Sequence, residues 1–320
     1  MKRRHVTRSR PSPELGFRFA LFICLAALTA RAEAVQLPAS EYQDRLRGGW
    51  GGQILGSAMA DRTKSGKLAP EEISNAATQS FLNLQFTFLS ALERHRDGLS
   101  RPQAAALLRV TEFPLSHASL AARENLRRGM LPKFSGHPRF NTHSDDHDFQ
   151  SAAAVLGLVS SGSPRRAAEL ADLFGGILSY GDGQYAGRFF AAAYAQAFLE
   201  KEAKPASLER CLRAGLTAIH PQSAYAAAVH AVFQEFGSDP RGWRKARAAL
   251  WKQWGVNDLC PQGAHEEQNF DAKLNGGFIL IALLYGGGDF ARTMEIAAGC
   301  GQQIRENAGG GKLEFAYETA

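Results

Sequence analysis

Asp44-Arg45-Leu46-Arg47-Gly48-Gly49-Trp50-Gly51-Gly52-Gln53-Ile54-Leu55-Gly56-Ser57-Ala58-Met59-Ala60-Asp61 reads as one helix in spite of its glycines. Gly48, Gly52 and Gly56 fall at i, i+4 and i+8 and strip one helical face of side chains. Each glycine costs ~1 kcal/mol against alanine inside a helix, so three in register predict a seam where another backbone approaches closely. Helical spacing of apolar residues continues beyond this stretch, and alternating β-branched runs are hard to find, so the fold class is all-α.

Helices are predicted over 40–60, 78–97, 101–112, 116–128, 148–160, 164–178, 184–200, 206–218, 221–236, 240–254, 273–285 and 288–299. Gly98, Pro114, Gly162, Gly181, Pro205, Pro221 and Pro240 punctuate them. The chain contains no long polar linker, so residues 35–320 are expected to form a single orthogonally packed helical domain.

The 320 residues, 45% apolar and 21% charged, exclude a disordered polymer, a disulfide mini-protein and a collagen-like repeat. The formal charge of +6 is misleading, because seven of the 37 bases and two of the 31 acids lie in residues 1–34. The rest of the chain is near neutrality, which gives it no electrostatic reason to bind nucleic acid or an anionic membrane. Residues 1–34 read as a cleaved secretory signal: a basic start, an apolar run from Phe19 to Ala30 and a small-x-small site at Ala32-Glu33-Ala34. That run is shorter than the ~20 residues a spanning helix needs, so a secreted or periplasmic protein with no permanent membrane span is expected. Past the signal only Cys211, Cys260 and Cys300 occur, too few for a disulfide framework.

Two polar stretches can carry chemistry. Asn141-Thr142-His143-Ser144-Asp145-Asp146-His147-Asp148 packs three carboxylates and two imidazoles ahead of an apolar helical run. Such a set supplies ligands for a hard cation or a general base; equally, Ser144, Asp145 or Asp146 can serve as the N-cap of the following helix. His143 and His147 stand four apart like a zinc-binding pair, but Ser144 takes the place of the glutamate of HExxH. The second stretch is Ser179-Tyr180-Gly181-Asp182-Gly183-Gln184-Tyr185. Gly181 and Gly183 permit a tight turn facing a ligand, and Tyr180 and Tyr185 offer flat faces for a base or sugar. A plain helix-to-helix turn capped by Asp182 accounts for the same residues.

Taken in order, the segments 44–61, Ala122 to Gly129, Ser144 to Gln150, Tyr180 to Tyr185, Gly215 to Ser223 and Leu284 to Phe290 resemble successive segments of the ADP-ribosylglycohydrolase family over roughly residues 40–308. The resemblance implies an all-α hydrolase that cleaves the glycosidic link between ADP-ribose and a protein side chain or small molecule at a pair of Mg²⁺ or Mn²⁺ ions. It also implies a Thr-Asp-Asp motif near Thr78-Gln79-Ser80-Phe81 and an Asp-x-Asp motif within Gly301 to Asn307, where this sequence has no carboxylate in the first and Gln303 and Arg305 in the second. Neutral and cationic groups in place of these anions predict that two divalent ions are not held. The 13 residues after Asn307 are Gly-rich and irregular where the family continues in helix, so the domain is expected to be shortened at its C-terminus.

The sequence thus assigns catalysis to Asp145, Asp146 and Asp148, a remodelled metal site to Asp145 and Asp146, and substrate contacts to His143, Tyr180, Gly181, Asp182, Gly183 and Tyr185. Two carboxylates without a metal can serve an oxocarbenium-like transition state. The alternative is an inactive relative that binds ADP-ribose or acts as a scaffold.

Overall fold

The computed structural model describes residues 37–60, 74–75, 79–115, 117–255 and 270–307, without the side chains of 60 and 301–307. The proposed signal, Thr78, Cys260, the side chains of Gln303 and Arg305, and the chain beyond 307 lie outside the described residues. The described residues from Ala39 onward form one compact unit.

In chain order the helices are α1 (Ala39–Ala60), α2 (Ser80–His95), α3 (Arg101–Arg109), α4 (His117–Arg127), α5 (Pro132–Ser135), α6 (Asp148–Ala152), α7 (Ala154–Leu158), α8 (Pro164–Leu178), α9 (Asp182–Ala197), α10 (Pro205–Thr217), α11 (Ala224–Ser238), α12 (Trp243–Trp254), α13 (Ala272–Gly286) and α14 (Phe290–Asn307). The described residues contain no strand, only an isolated antiparallel bridge between Asp146 and Asp271. The all-α expectation holds.

Helix α13 is apolar on every side, and a helix without a polar face must be buried all round. It lies in a core that contains Phe189, Tyr225, Trp243, Leu250, Leu274 and Ile281. A second core gathers Phe88, Phe149, Leu156, Phe174 and Leu178 from α2, α6, α7 and α8. Helix α9 belongs to both, giving Phe189 and Phe190 to the first and Ala191 and Ala195 to the second. Its small residues let neighbours approach its backbone. A Cβ on Gly157 of α7 would meet the Ala191 carbonyl at 2.5 Å and the Tyr194 Cβ at 2.4 Å.

The glycine seam of α1 is displaced from its expected line. Gly48 is exposed, and neither it nor Gly52 has any atom within 4 Å of an added Cβ, whereas Gly49 lies against Leu158 at 2.9 Å. The buried face runs through Gln53, Gly56, Ser57 and Ala58, so only Gly56 of the expected three sits on it. One residue is 100° of helical rotation, enough to move a contact face from Gly48 to Gly49.

Between α5 and α6 the chain crosses the end of α8 without regular structure, and buried side chains replace the missing backbone bonds. Asn141 donates from Nδ2 to the carbonyls of Ala118 (3.0 Å) and Leu178 (3.1 Å). Asn125 donates to Ser135 and Phe140, and Ser135 Oγ donates to the Ile177 carbonyl at 2.7 Å.

Two outcomes test this packing. Gly157→Ala is expected to lower thermal stability by about 1–3 kcal/mol, because backbone atoms cannot yield to the new methyl, while Gly48→Ala raises it by up to ~1 kcal/mol; equal melting shifts contradict the placement of α1 and α7. Asn141→Ala removes a buried donor from the carbonyls of Ala118 and Leu178 and is expected to cost about 1–3 kcal/mol, with faster amide exchange concentrated in residues 141–148.

Candidate active site

The acidic stretch is an irregular turn rather than the start of a helix. Helix α6 begins at Asp148 with His147 as N-cap and no side-chain cap bond, so Ser144, Asp145 and Asp146 do not cap it. Two distant segments hold the turn. The His147 amide donates to the Phe270 carbonyl (2.9 Å) and the Ala272 amide to the Asp145 carbonyl (3.0 Å), while the Tyr180 amide donates to the Ser144 carbonyl (2.8 Å). A Cβ on Gly183 would lie 2.5 Å from the Ser144 carbonyl oxygen and 2.9 Å from Asp145 Cα. Gly183 therefore allows the close approach of α9 to the turn.

Asp146 is fully buried at the centre of this junction. Its Oδ2 accepts from His117 Nδ1 at 3.0 Å and lies 3.2 Å from His143 Nδ1. Burial pushes its carboxyl upward, but the bonds from both imidazoles prevail and hold it below the usual carboxylate range. In turn the hydrogen bond to Asp146 raises His143, against the opposing effect of burial. The three donor atoms of His117, His143 and Asp146 lie within 4.8 Å of one another, close enough to hold a metal ion.

Packing fixes the imidazoles. The His117 ring lies 3.7 Å, centroid to centroid, from the buried Phe270 ring and meets His143 edge-on at 5.1 Å. His117 has a φ of 43°, a left-handed conformation that costs a non-glycine residue about 1–3 kcal/mol. His147, four residues from His143, turns into the interior, where burial pushes its pKa down to about 4. Asp148 is also buried. Its Oδ1 accepts from the Ser119 amide in the first turn of α4 at 3.4 Å, and burial, reinforced by the charge of Asp146, pushes its carboxyl up to about 6.

On the other side of the bridge stand Asp271, Lys273 and Asp182. Asp271 caps α13, accepting from the amides of Lys273 (2.6 Å) and Leu274 (3.3 Å), and its Oδ2 pairs with Lys273 Nζ at 2.5 Å. Burial raises Asp271 against the opposing ammonium. For Lys273 burial acts downward, but Asp271, supported by Asp182 and Asp145, holds it above its ordinary value. Asp182 opens α9 but does not cap it, since Gly181 is the N-cap. Its Oδ1 accepts from the Tyr225 amide at 2.9 Å, and its Oδ2 is 3.8 Å from Lys273 Nζ.

The structure thus brings His143, Asp145, Asp146 and Asp148 together with the turn at Tyr180 to Gly183. Gly181 holds a φ of 56° with open space at its Cα, and Tyr180 is half exposed, its ring against His137 at 4.9 Å. Tyr185 packs partly into the core around α9. Sequence reasoning missed His117, Asp271 and Lys273. Asp271 carried a legible signal as an N-cap residue ahead of an apolar run; a lone histidine at the head of α4 carried none.

A paired hard-cation centre does not fit the described donors. Gln79 and Ser80 are neutral and Phe81 is buried in the core, so the described part of the early motif supplies no anionic oxygen. The cluster around Asp146 offers two nitrogens and one carboxylate, where Mg²⁺ demands oxygens throughout. Other clefts are less suited to chemistry: one between α8, α9 and α10 is lined by Arg165, Glu169, Asp172 and Arg188, whose charges are paired with one another.

No helix among the described residues is long and apolar enough to cross a membrane. Comparison with curated proteins and with solved structures found no match. The model of one family, ADP-ribosylglycohydrolase, matches residues 38–309, nearly all of the fold described above. That family hydrolyses glycosidic bonds of small-molecule or ADP-ribosylated substrates and is generally metal-dependent. The match spans most of the chain and the all-helical architecture agrees with it, so the chain belongs to the ADP-ribosylglycohydrolase family.

Proposed function

We propose that this chain is an exported hydrolase that cleaves the glycosidic bond of ADP-ribosylated side chains or related nucleosides at the turn Asn141 to Asp148. The observation that carries the reading is the convergence of Asp145, Asp146 and Asp148 on one buried junction beside the Tyr180 turn, in a family of glycosidic hydrolases. Export follows from the reading of residues 1–34 as a signal.

Cleavage at an anomeric carbon builds positive charge on the sugar, and fixed anions beside it lower the barrier. Asp146, ionised and clamped by two imidazoles, supplies such an anion without reorganising. Asp145, joined to α13 through its carbonyl, activates the attacking water. Asp148 holds a proton to a higher pH than an ordinary carboxyl and serves as the acid toward the leaving group. Asp182 acts as a positioning residue through Tyr225 and Lys273 rather than on the sugar itself. The half-exposed Tyr180 ring offers a face to the adenine.

The buried Phe81 in the early motif favours a second reading, an ADP-ribose binder without turnover. Hydrolysis of ADP-ribosylated arginine by the full chain separates the two. Turnover is expected, with a loss of at least about 10²-fold in Asp145→Asn. Binding of ADP-ribose with no hydrolysis establishes the binder instead, and hydrolysis that is unchanged in Asp145→Asn overturns the site assignment.

A further inference from the structure

We propose that His117 Nδ1, His143 Nδ1 and Asp146 form a mononuclear site for a first-row transition ion of the imidazole-binding class, such as zinc or cobalt. The proposal rests on the hydrolase reading only for the location of the active site. Its evidence is the geometry of three side chains.

The spacing is that of ligands around one ion. Donors about 2.0–2.1 Å from a single zinc ion lie roughly 3 Å from one another. The two imidazole nitrogens stand 3.0 and 3.2 Å from Asp146 Oδ2, and the three donors lie within 4.8 Å as a set. The rings approach from perpendicular directions, with an interplanar angle of 88°, so both nitrogens can face one point without the rings colliding.

The site is preorganised by contacts that do not involve an ion. Phe270 lies against His117, the His143 amide donates to Asn141 Oδ1 at 3.1 Å, and the Asp146 amide donates to the His143 carbonyl at 3.0 Å. Asn141 is itself fixed by two buried carbonyls. Asp146 Oδ1 is buried and has no hydrogen-bond partner among the described residues, so the carboxylate retains an acceptor that its protein partners leave unused. The histidine side chains are 17% and 14% exposed, so the cluster is not sealed from solvent.

Ligand chemistry selects the ion. Two imidazoles and one carboxylate suit Zn²⁺, Co²⁺ or Ni²⁺, whereas Mg²⁺ requires oxygen ligands and keeps most of its water. Two ions need more anionic donors than this cluster has.

The test uses the full chain stripped with a chelator and titrated with zinc chloride, cobalt chloride and magnesium chloride, with bound metal counted by mass spectrometry and cobalt followed by its visible absorption. One zinc or cobalt per chain is expected, with a ligand-field spectrum that saturates at one equivalent and is undisturbed by millimolar magnesium. His143→Gln and His117→Gln are each expected to weaken binding at least tenfold, while the far-UV circular dichroism of the metal-free variants at the assay temperature matches that of the parent, so that loss of binding is not loss of fold. Two ions per chain, preference for magnesium, affinity unchanged in both histidine variants, or no zinc or cobalt bound overturns the site. No substrate enters the measurement. A bound ion without turnover therefore rejects the hydrolase and keeps the site, and turnover by metal-free protein that binds no zinc does the reverse.

Discussion

Two backbone hydrogen bonds, from the His147 amide to Phe270 and from the Ala272 amide to Asp145, join parts of the chain more than a hundred residues apart and enclose Asp146 between them. Among the described residues of this all-helical fold, one isolated bridge, between Asp146 and Asp271, is where helices give way to extended pairing. It places the carboxylate in the interior, where an ionised group survives only with partners. His117 and His143 are those partners, and the start of α4, the turn and the head of α13 must all be in register for them to meet.

The helices provide the rigidity that this junction requires. Helix α9 draws close to the turn because Gly183 has no side chain, and Asp271 caps α13, its bonds setting the direction of a helix buried on nearly every side. Lys273 then stands between Asp271 and Asp182 and offsets their charge, with Asp145 near enough to reinforce it. A site that needs several anions in a small volume thus draws part of its positive charge from the protein.

Much of this architecture was legible in the sequence because it is local. Helix limits follow from apolar spacing and from proline and glycine, and the two polar stretches singled out by composition do meet, through the Tyr180 amide and the Ser144 carbonyl. The misreadings have tertiary causes. The seam on α1 was expected at Gly48 but lies at Gly49, because periodicity gives the period of a face and not its phase. Of the two readings of Asp182, the cap of its own helix does not hold, because Gly181 is the N-cap and Asp182 instead accepts from the Tyr225 amide in the first turn of α11. Spacing offers His147 as a companion for His143, but the imidazole beside it is His117, which no local pattern connects to the turn.

The central claim, that a bridge between distant segments makes one histidine–carboxylate site around Asp146, is tested most directly by diffraction from crystals of the full chain soaked in zinc, with anomalous scattering recorded at the zinc edge. The account predicts a single peak within bonding distance of His117 Nδ1, His143 Nδ1 and an Asp146 oxygen. A pair of peaks, or a peak elsewhere with these three side chains apart, contradicts it.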